Sequence, residues 1–319
     1  MLPCASPRLA PLPLLVSGMP QLFQAFGLTI ESELELRPGL RAAVSSDGVD
    51  VRILLGNLPP GPDGVGEGDA VAWISPDLFQ FHVEGVASFR VEAGKRILID
   101  PAEGANPDDV RGLLLGMAVG ALLHQRGLLP LHASAVAQDG LAHAFVGDSG
   151  AGKSTLVLAL RRRGLTVLSD DVALAIAREA DVLLCPGLQV VKLWQDALDH
   201  FGLDSRVLAR DLSREEKFHL TLDGDPIPDP LPLRHVYVLE RSDGDLVRIE
   251  PVRGQKAIAL VRDHTYRSGF VHPMGRAADH LRQCGAVASR VRIFRFHRPW
   301  GKEAIEASVD VLVRHMAGR

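Results

Sequence analysis

The run Gly147-Asp148-Ser149-Gly150-Ala151-Gly152-Lys153-Ser154-Thr155 satisfies G-x-x-x-x-G-K-[ST] through Gly147, Gly152, Lys153 and Ser154. Glycines at those places let backbone N–H groups turn inward around phosphate oxygens, the lysine reaches terminal phosphates, and the serine hydroxyl suits Mg²⁺. The plain alternative is a glycine-rich turn that only caps a helix. Against it, the run follows an expected strand and opens an expected helix, the context that a phosphate loop requires. Phosphoryl transfer also needs a carboxylate for the metal and a group to orient the attacking oxygen. Asp170 and Asp171 lie one short helix further on. Neighbours on a strand point to opposite faces, so the two are expected to divide the work, one in the Mg²⁺ shell and one facing an acceptor hydroxyl. A pair of capping or loop carboxylates is the bland alternative.

His132 lies one hairpin before the loop. A lone histidine on an apolar strand is commonly a satisfied core residue, and its interest here is its expected reach to the aspartates or the phosphate. Arg267, in "HTYRSGF", is the residue type that stabilises charge developing on a transferred phosphoryl group. Arg161, Arg162 and Arg163 are instead expected to complement a helix dipole and solvate a face. His124 and His143 lack zinc-type spacing, and Cys4, Cys185 and Cys284 fit neither a disulfide framework nor a zinc site. Mg²⁺ is therefore the one metal expected, and the free thiols suit a reducing cytoplasm.

The elements that must hold these residues follow from pattern. "LHASAVA" and "LAHAFVG" flank Gln138-Asp139-Gly140, whose Asp-Gly pair predicts a hairpin delivering the chain to Gly147. "KSTLVLALRRRG" predicts a helix closed by Gly164, and "LTVLSDDVALAIA" a strand with both aspartates in its middle. A helix is expected at 193–201, a strand at 234–240, and a helix at 303–316 with Ile305, Val309, Leu312, Val313 and Met316 on one face. Upstream, "FQFHV", "ASFRV" and "RILID" predict a small antiparallel sheet, and "LPPGPDGVGEGD" at 58–69 an exposed loop.

The whole chain has 319 residues, 46% hydrophobic and 23% charged, with a net charge of −4. That suffices for one large or two modest domains, and no basic field marks nucleic acid as a partner. The Pro-interrupted start is read as a flexible terminus rather than a signal peptide. The apolar run at 112–123 falls short of the roughly 20 residues of a membrane span. It predicts a buried helix from Asp108 or Asp109 to Gly127, and no membrane partner. The expected organisation is a flexible terminus at 1–20, a β-rich accessory and substrate-recognition domain at 21–126, and an α/β phosphate-loop catalytic domain at 127–319.

"LHASAVA", "GDSGAGKST" and "LSDD", in that order and spacing, resemble the catalytic domain of the HPr kinase/phosphorylase family over about residues 128–272. The resemblance implies a P-loop kinase domain of the HPr kinase/phosphoenolpyruvate carboxykinase type, using ATP and Mg²⁺ to phosphorylate a protein serine. It implies that Lys153 binds phosphate, Ser154 and Asp170 serve Mg²⁺, and Asp171 is the general base with His132 close by. "TYR" at 265–267 resembles a family segment that would bring Arg267 to the site. The HPr enzymes carry a metal-site acid downstream, whereas no carboxylate lies from Val182 to Trp194 here, so metal ligation is expected to differ. "GALLHQRGLLPLHASAV" and "PGLQVVKLW" are similar instead to HPr-kinase-related proteins of bacterial peptide natural-product clusters, including lasso peptide kinases, which phosphorylate a precursor's C-terminal serine. The leading expectation is thus a cytoplasmic serine kinase with a peptide or small-protein partner. The alternatives are an ATP-binding regulatory module that transfers nothing, and a small-molecule kinase.

Overall fold

The computed structural model describes residues 19–37, 39–43, 48–59, 72–188, 190–204, 209–211, 214–222, 229–242, 244, 246–299, 301 and 304–318. The expected terminus up to residue 18 and most of the loop expected at 58–69 lie outside the described residues.

The first strands are β1 (Gln21–Ala25), β2 (Leu28–Ser32), β3 (Arg41–Ala42) and β4 (Val51–Leu55), followed by β5 (Trp73–Ile74), β6 (Leu78–Val83), β7 (Ala87–Glu92) and β8 (Arg96–Pro101). They form one sheet in the order β3-β1-β2-β4-β8-β7-β6-β5. Alternate residues of β6 to β8, namely Phe79, Phe81, Phe89, Val91, Ile97 and Ile99, are buried, as one covered face requires. The antiparallel sheet expected of "FQFHV", "ASFRV" and "RILID" is present as β6-β7-β8, but it is not small: it is part of an eight-stranded mixed sheet, in which β4 runs parallel to both β2 and β8. Parallel neighbours are joined by long connections, which the alternation inside a strand does not reveal.

The buried helix covers that face. It runs as α1 (Pro107–Leu113), a π-helical turn (Leu114–Ala118) and α2 (Val119–Gln125), starting one residue before the expected Asp108. Asn106 caps it by accepting from the Asp108 N–H, and Pro107 occupies the first helical position. Gly127 ends it at φ 67°, its N–H donating to the His124 carbonyl. Among the described residues no helix is long and apolar enough to cross a membrane.

The second half is built on β9 (Leu129–Leu131), β10 (Ala133–Gln138), β11 (Leu141–Val146), α3 (Lys153–Arg162), β12 (Thr166–Ser169), β13 (Ala173–Ala177), β14 (Val182–Cys185) and β15 (Val190–Trp194). After these come α4 (Gln195–Phe201), β16 (Ala209–Asp211), β17 (Arg214–Thr221), β18 (Leu231–Ser242), β19 (Arg248–Val252), α5 (Gly254–Asp263), α6 (Ala277–Arg290), β20 (Arg292–Pro299) and α7 (Ala304–Met316). A nine-stranded sheet follows the path β12-β10-β11-β18-β14-β13-β9, with β20 on β18 and β19 on β20. Its parallel centre, β11, β18 and β20, is covered on both faces, by α3 and α7 on one side and by α5 and α6 on the other. The strands β15, β17 and β16 make a separate antiparallel sheet.

The expected hairpin is present, with Asp139 at φ 52° and Gly140 at φ 74° in its turn. α3 stops at Arg162, and Gly164 follows at φ 88°. Ile305, Val309, Leu312 and Met316 of α7 are buried and Val313 is half-buried. Arg163 reaches Glu306 at 2.7 Å and Asp310 at 2.6 Å, so this arginine ties α3 to α7. The helix expected at 193–201 begins at Gln195, because Leu193 and Trp194 finish β15. The strand expected at 234–240 extends over Leu231–Ser242.

The expected strand through "LTVLSDDVALAIA" is broken. β12 ends at Ser169, β13 begins at Ala173, and Asp171 between them adopts φ 71°. His132 likewise sits at a bend between β9 and β10 rather than within a strand. Apolar pattern continues across both breaks, and polar contacts rather than periodicity hold the intervening residues.

Candidate active site

The loop between β11 and α3 owes its shape to its glycines. Gly147, Gly150 and Gly152 adopt φ 151°, 85° and 79°, conformations that side chains resist. A Cβ on Gly147 would meet the Leu239 carbonyl at 3.1 Å, and one on Gly152 would collide with the Arg298 guanidinium. Asp148, Ser149 and Gly150 form the exposed lip, while Ala151 and Lys153 are buried and Gly152, Ser154 and Thr155 half-buried. The Lys153 ammonium folds back over the loop and donates to the carbonyls of Gly147 (2.7 Å) and Asp148 (3.2 Å). Arg298, itself buried, donates from Nη2 to the Ala151 carbonyl at 2.9 Å and braces the loop from behind.

The aspartate turn closes against the start of α3. Oδ1 of Asp170 accepts from the Ser134 hydroxyl and, at 3.0 Å, from the Ser154 hydroxyl. Oδ2 accepts from the Lys192 backbone N–H at 2.9 Å. Asp171 has different partners: Oδ2 accepts from the Lys192 ammonium at 2.8 Å, and Oδ1 lies 3.3 Å from Nδ1 of His132. The same Nδ1 is 3.0 Å from the Asp171 carbonyl, so an Nδ1–H donates to either oxygen. Burial pushes the Asp171 carboxyl up, but His132 and Lys192 outweigh it and hold the group well below the usual carboxylate range. The two aspartates thus face different ways because the chain turns between them, not because a pleat alternates them.

A second segment lines the same place. His132 donates its backbone N–H to the His264 carbonyl at 2.7 Å, Leu131 bridges Thr265, and Tyr266 donates to the Pro130 carbonyl. His124 of α2 holds the Tyr266 carbonyl at 2.7 Å, fixing the segment to the N-terminal half. The Tyr266 ring stands 6.0 Å from the His132 ring, and burial followed by the Asp171 charge pushes its phenol up. Arg267, exposed and at φ 52°, places its guanidinium 5.6 Å from the centre of the Tyr266 ring. The structure therefore gathers Ser154, Asp170, Asp171 and His132 directly, and brings Arg267 only as far as the Tyr266 ring.

Four side chains at this place escaped the sequence reading. Ser134 stands two residues after His132, a spacing that would have flagged it. Lys192 lies in "PGLQVVKLW", a segment marked in the sequence by its resemblance and its lack of acids, not by its lysine. His264, whose imidazole is lowered by burial and then by the Lys153 charge, sits next to Thr265 in the segment carrying Arg267. Arg298 is distant in sequence and no local pattern marks it.

The donors fit Mg²⁺ better than a softer ion. Ser154 and Asp170 offer converging oxygens, and Mg²⁺ takes one or two protein oxygens and fills its shell with water and phosphate. Among the described residues no group of three or more His, Cys, Asp or Glu is placed to hold a metal by itself.

Neither a family model nor a curated relative matches this chain. Among solved structures, it is similar to the Hpr(Ser) kinase/phosphatase from Coxiella burnetii, at 13% identity and a TM-score of 0.31, covering 59% of this chain and 97% of that one.

Proposed function

We propose that the protein is an ATP- and Mg²⁺-dependent serine kinase acting on a peptide or small protein. The acceptor that the sequence resemblance favours is the C-terminal serine of a lasso-type precursor peptide. One observation carries the reading: beside a glycine-built loop, Ser154 and Asp170 share one contact while Asp171, the next residue, is held by a separate pair of side chains, His132 and Lys192. A metal position and a base position are thereby adjacent yet distinct, as transfer to a hydroxyl requires.

In this reading Ser154 and Asp170 hold Mg²⁺, which when bound screens the nucleotide's phosphate charge. Lys153 leaves the carbonyls of Gly147 and Asp148 for phosphate oxygens. Asp171 takes the proton of the acceptor hydroxyl as the serine oxygen bonds to the terminal phosphorus and the bond to the β-phosphate oxygen breaks. His132 and Lys192 keep that carboxylate ionised and aimed. Arg267, beside the Tyr266 ring, meets the incoming acceptor or its phosphate, and the sheet of the accessory half offers the peptide a docking surface.

The test is mass spectrometry of short peptides encoded beside this protein after incubation with ATP and Mg²⁺. The expected product carries one phosphoryl group on serine, and Lys153→Ala yields none. ATP binding without transfer to any peptide would favour the regulatory module, and phosphorylation of a metabolite instead would favour the small-molecule kinase.

A further inference from the structure

From Val182 to Trp194 the chain offers no carboxylate to the aspartate turn; it offers Lys192. The strand that carries it is fixed by its neighbours. Val191 and Leu193 are buried in the core under α3, and β15 pairs with β17 through Leu220 and Phe218. Period-two alternation sends Lys192 to the opposite side, where its ammonium meets Asp171 at 2.8 Å. Its backbone N–H is already bonded to Asp170, so the residue is clamped at both ends, on adjacent carboxylates.

We propose that Lys192 is the built-in second cation of this site. It takes the place beside Asp170 and Asp171 that a second divalent ion would need, and it limits the protein to one Mg²⁺ per bound nucleotide. The inference rests on the ATP reading above. Oδ2 of Asp171 and Oδ2 of Asp170 are each already accepting from Lys192, so a second ion would have to share both oxygens with that residue. An ammonium a few ångströms away repels a divalent ion strongly where water is scarce. An ammonium has three donors, so Lys192 can keep Asp171 and still give an N–H to a phosphate oxygen.

The experiment is a titration of the full chain with Mn²⁺, followed by electron paramagnetic resonance, in the presence of a non-hydrolysable ATP analogue. One Mn²⁺ per bound nucleotide is expected for the wild type and for Lys192→Arg. Lys192→Glu, which replaces the ammonium by a third carboxylate, is expected to bind two. Two Mn²⁺ in the wild type, or one in a folded Lys192→Glu, would overturn the proposal and leave the ATP reading standing. Failure of the analogue to bind at all, followed by calorimetry, would overturn both. The wild-type stoichiometry decides the matter even if the glutamate variant does not fold.

Discussion

The Ser134 hydroxyl donates to Oδ1 of Asp170 across 36 residues of sequence, tying the hairpin before the loop to the turn after it. That oxygen is also the one facing Ser154, so Ser134 aims the proposed metal ligand. Outer partners of this kind are worth about 10- to 100-fold in metal affinity. Ser134→Ala is expected to weaken Mg²⁺ binding to the nucleotide complex by about 10-fold while leaving metal-free nucleotide binding unchanged. Calorimetry measures both, and an unchanged Mg²⁺ affinity would reduce Ser134 to a packing role.

The proposed base predicts a different pattern. Asp171→Asn keeps the shape but removes both the proton acceptor and the charge that pairs with Lys192. Transfer is expected to slow by roughly 10²- to 10⁴-fold, the range for a lost general base. The affinity for ATP is expected to change only slightly. Single-turnover kinetics with labelled ATP separates the two quantities, and equal transfer rates in wild type and variant would remove Asp171 from the chemistry.

Much of this arrangement is legible locally. The Asp139-Gly140 turn, the glycines of the loop and the buried stripe of α7 are short-range patterns, and each element they predict is present. The aspartates were legible by type but not by conformation. An apolar run continues on both sides of them, whereas the break depends on bonds to His132 and Ser134 from one other segment and to Lys192 from a second. The parallel joins of the first sheet, and Arg298 under Ala151, are likewise long-range facts without a local signature.

Space around the aspartate turn is another such long-range fact. A Cβ on Gly187 would press on the Ser169 hydroxyl, lie 2.5 Å from the Val172 carbonyl and 2.9 Å from the Phe26 ring, which comes from the β1–β2 turn. Two of the three neighbours belong to the stretch holding the aspartates, and one to the N-terminal half. Gly187→Ala is expected to cost about 1–3 kcal/mol as overpacking. Gly285 is the control: it lies in α6 with open space around its Cα, so Gly285→Ala is expected to stabilise by roughly 0.5–1 kcal/mol. Thermal melts of the two variants should move in opposite directions, and equal shifts would contradict the packing described.

A buried histidine cluster on β11, β18 and α7 makes stability depend on pH. The His143 and His235 rings lie 5.0 Å apart, and the Tyr237 hydroxyl joins His235 (3.0 Å) to His315 (2.8 Å). Burial lowers His143 to about 4, helped by Arg234 and His315 and opposed by Asp139. Burial also lowers His235 to about 3, helped by His143, His315, Arg234 and Arg292. In the unfolded chain a histidine titrates near 6.5. Below that pH the unfolded state binds protons that the folded state refuses, so stability is complete above about 6.5 and is lost as pH falls towards the folded values. Each histidine contributes a slope of up to about 1.4 kcal/mol per pH unit in that window. His124, His264, His280 and His315 are lowered by burial as well and add in the same direction. Urea denaturation between pH 7.5 and 5, a range above the ordinary carboxylate titrations, is expected to show falling stability. His143→Leu should reduce the slope by about one proton, whatever it does to stability at pH 7.5. A slope identical to the wild type's would show that His143 is not among the groups that resist protonation.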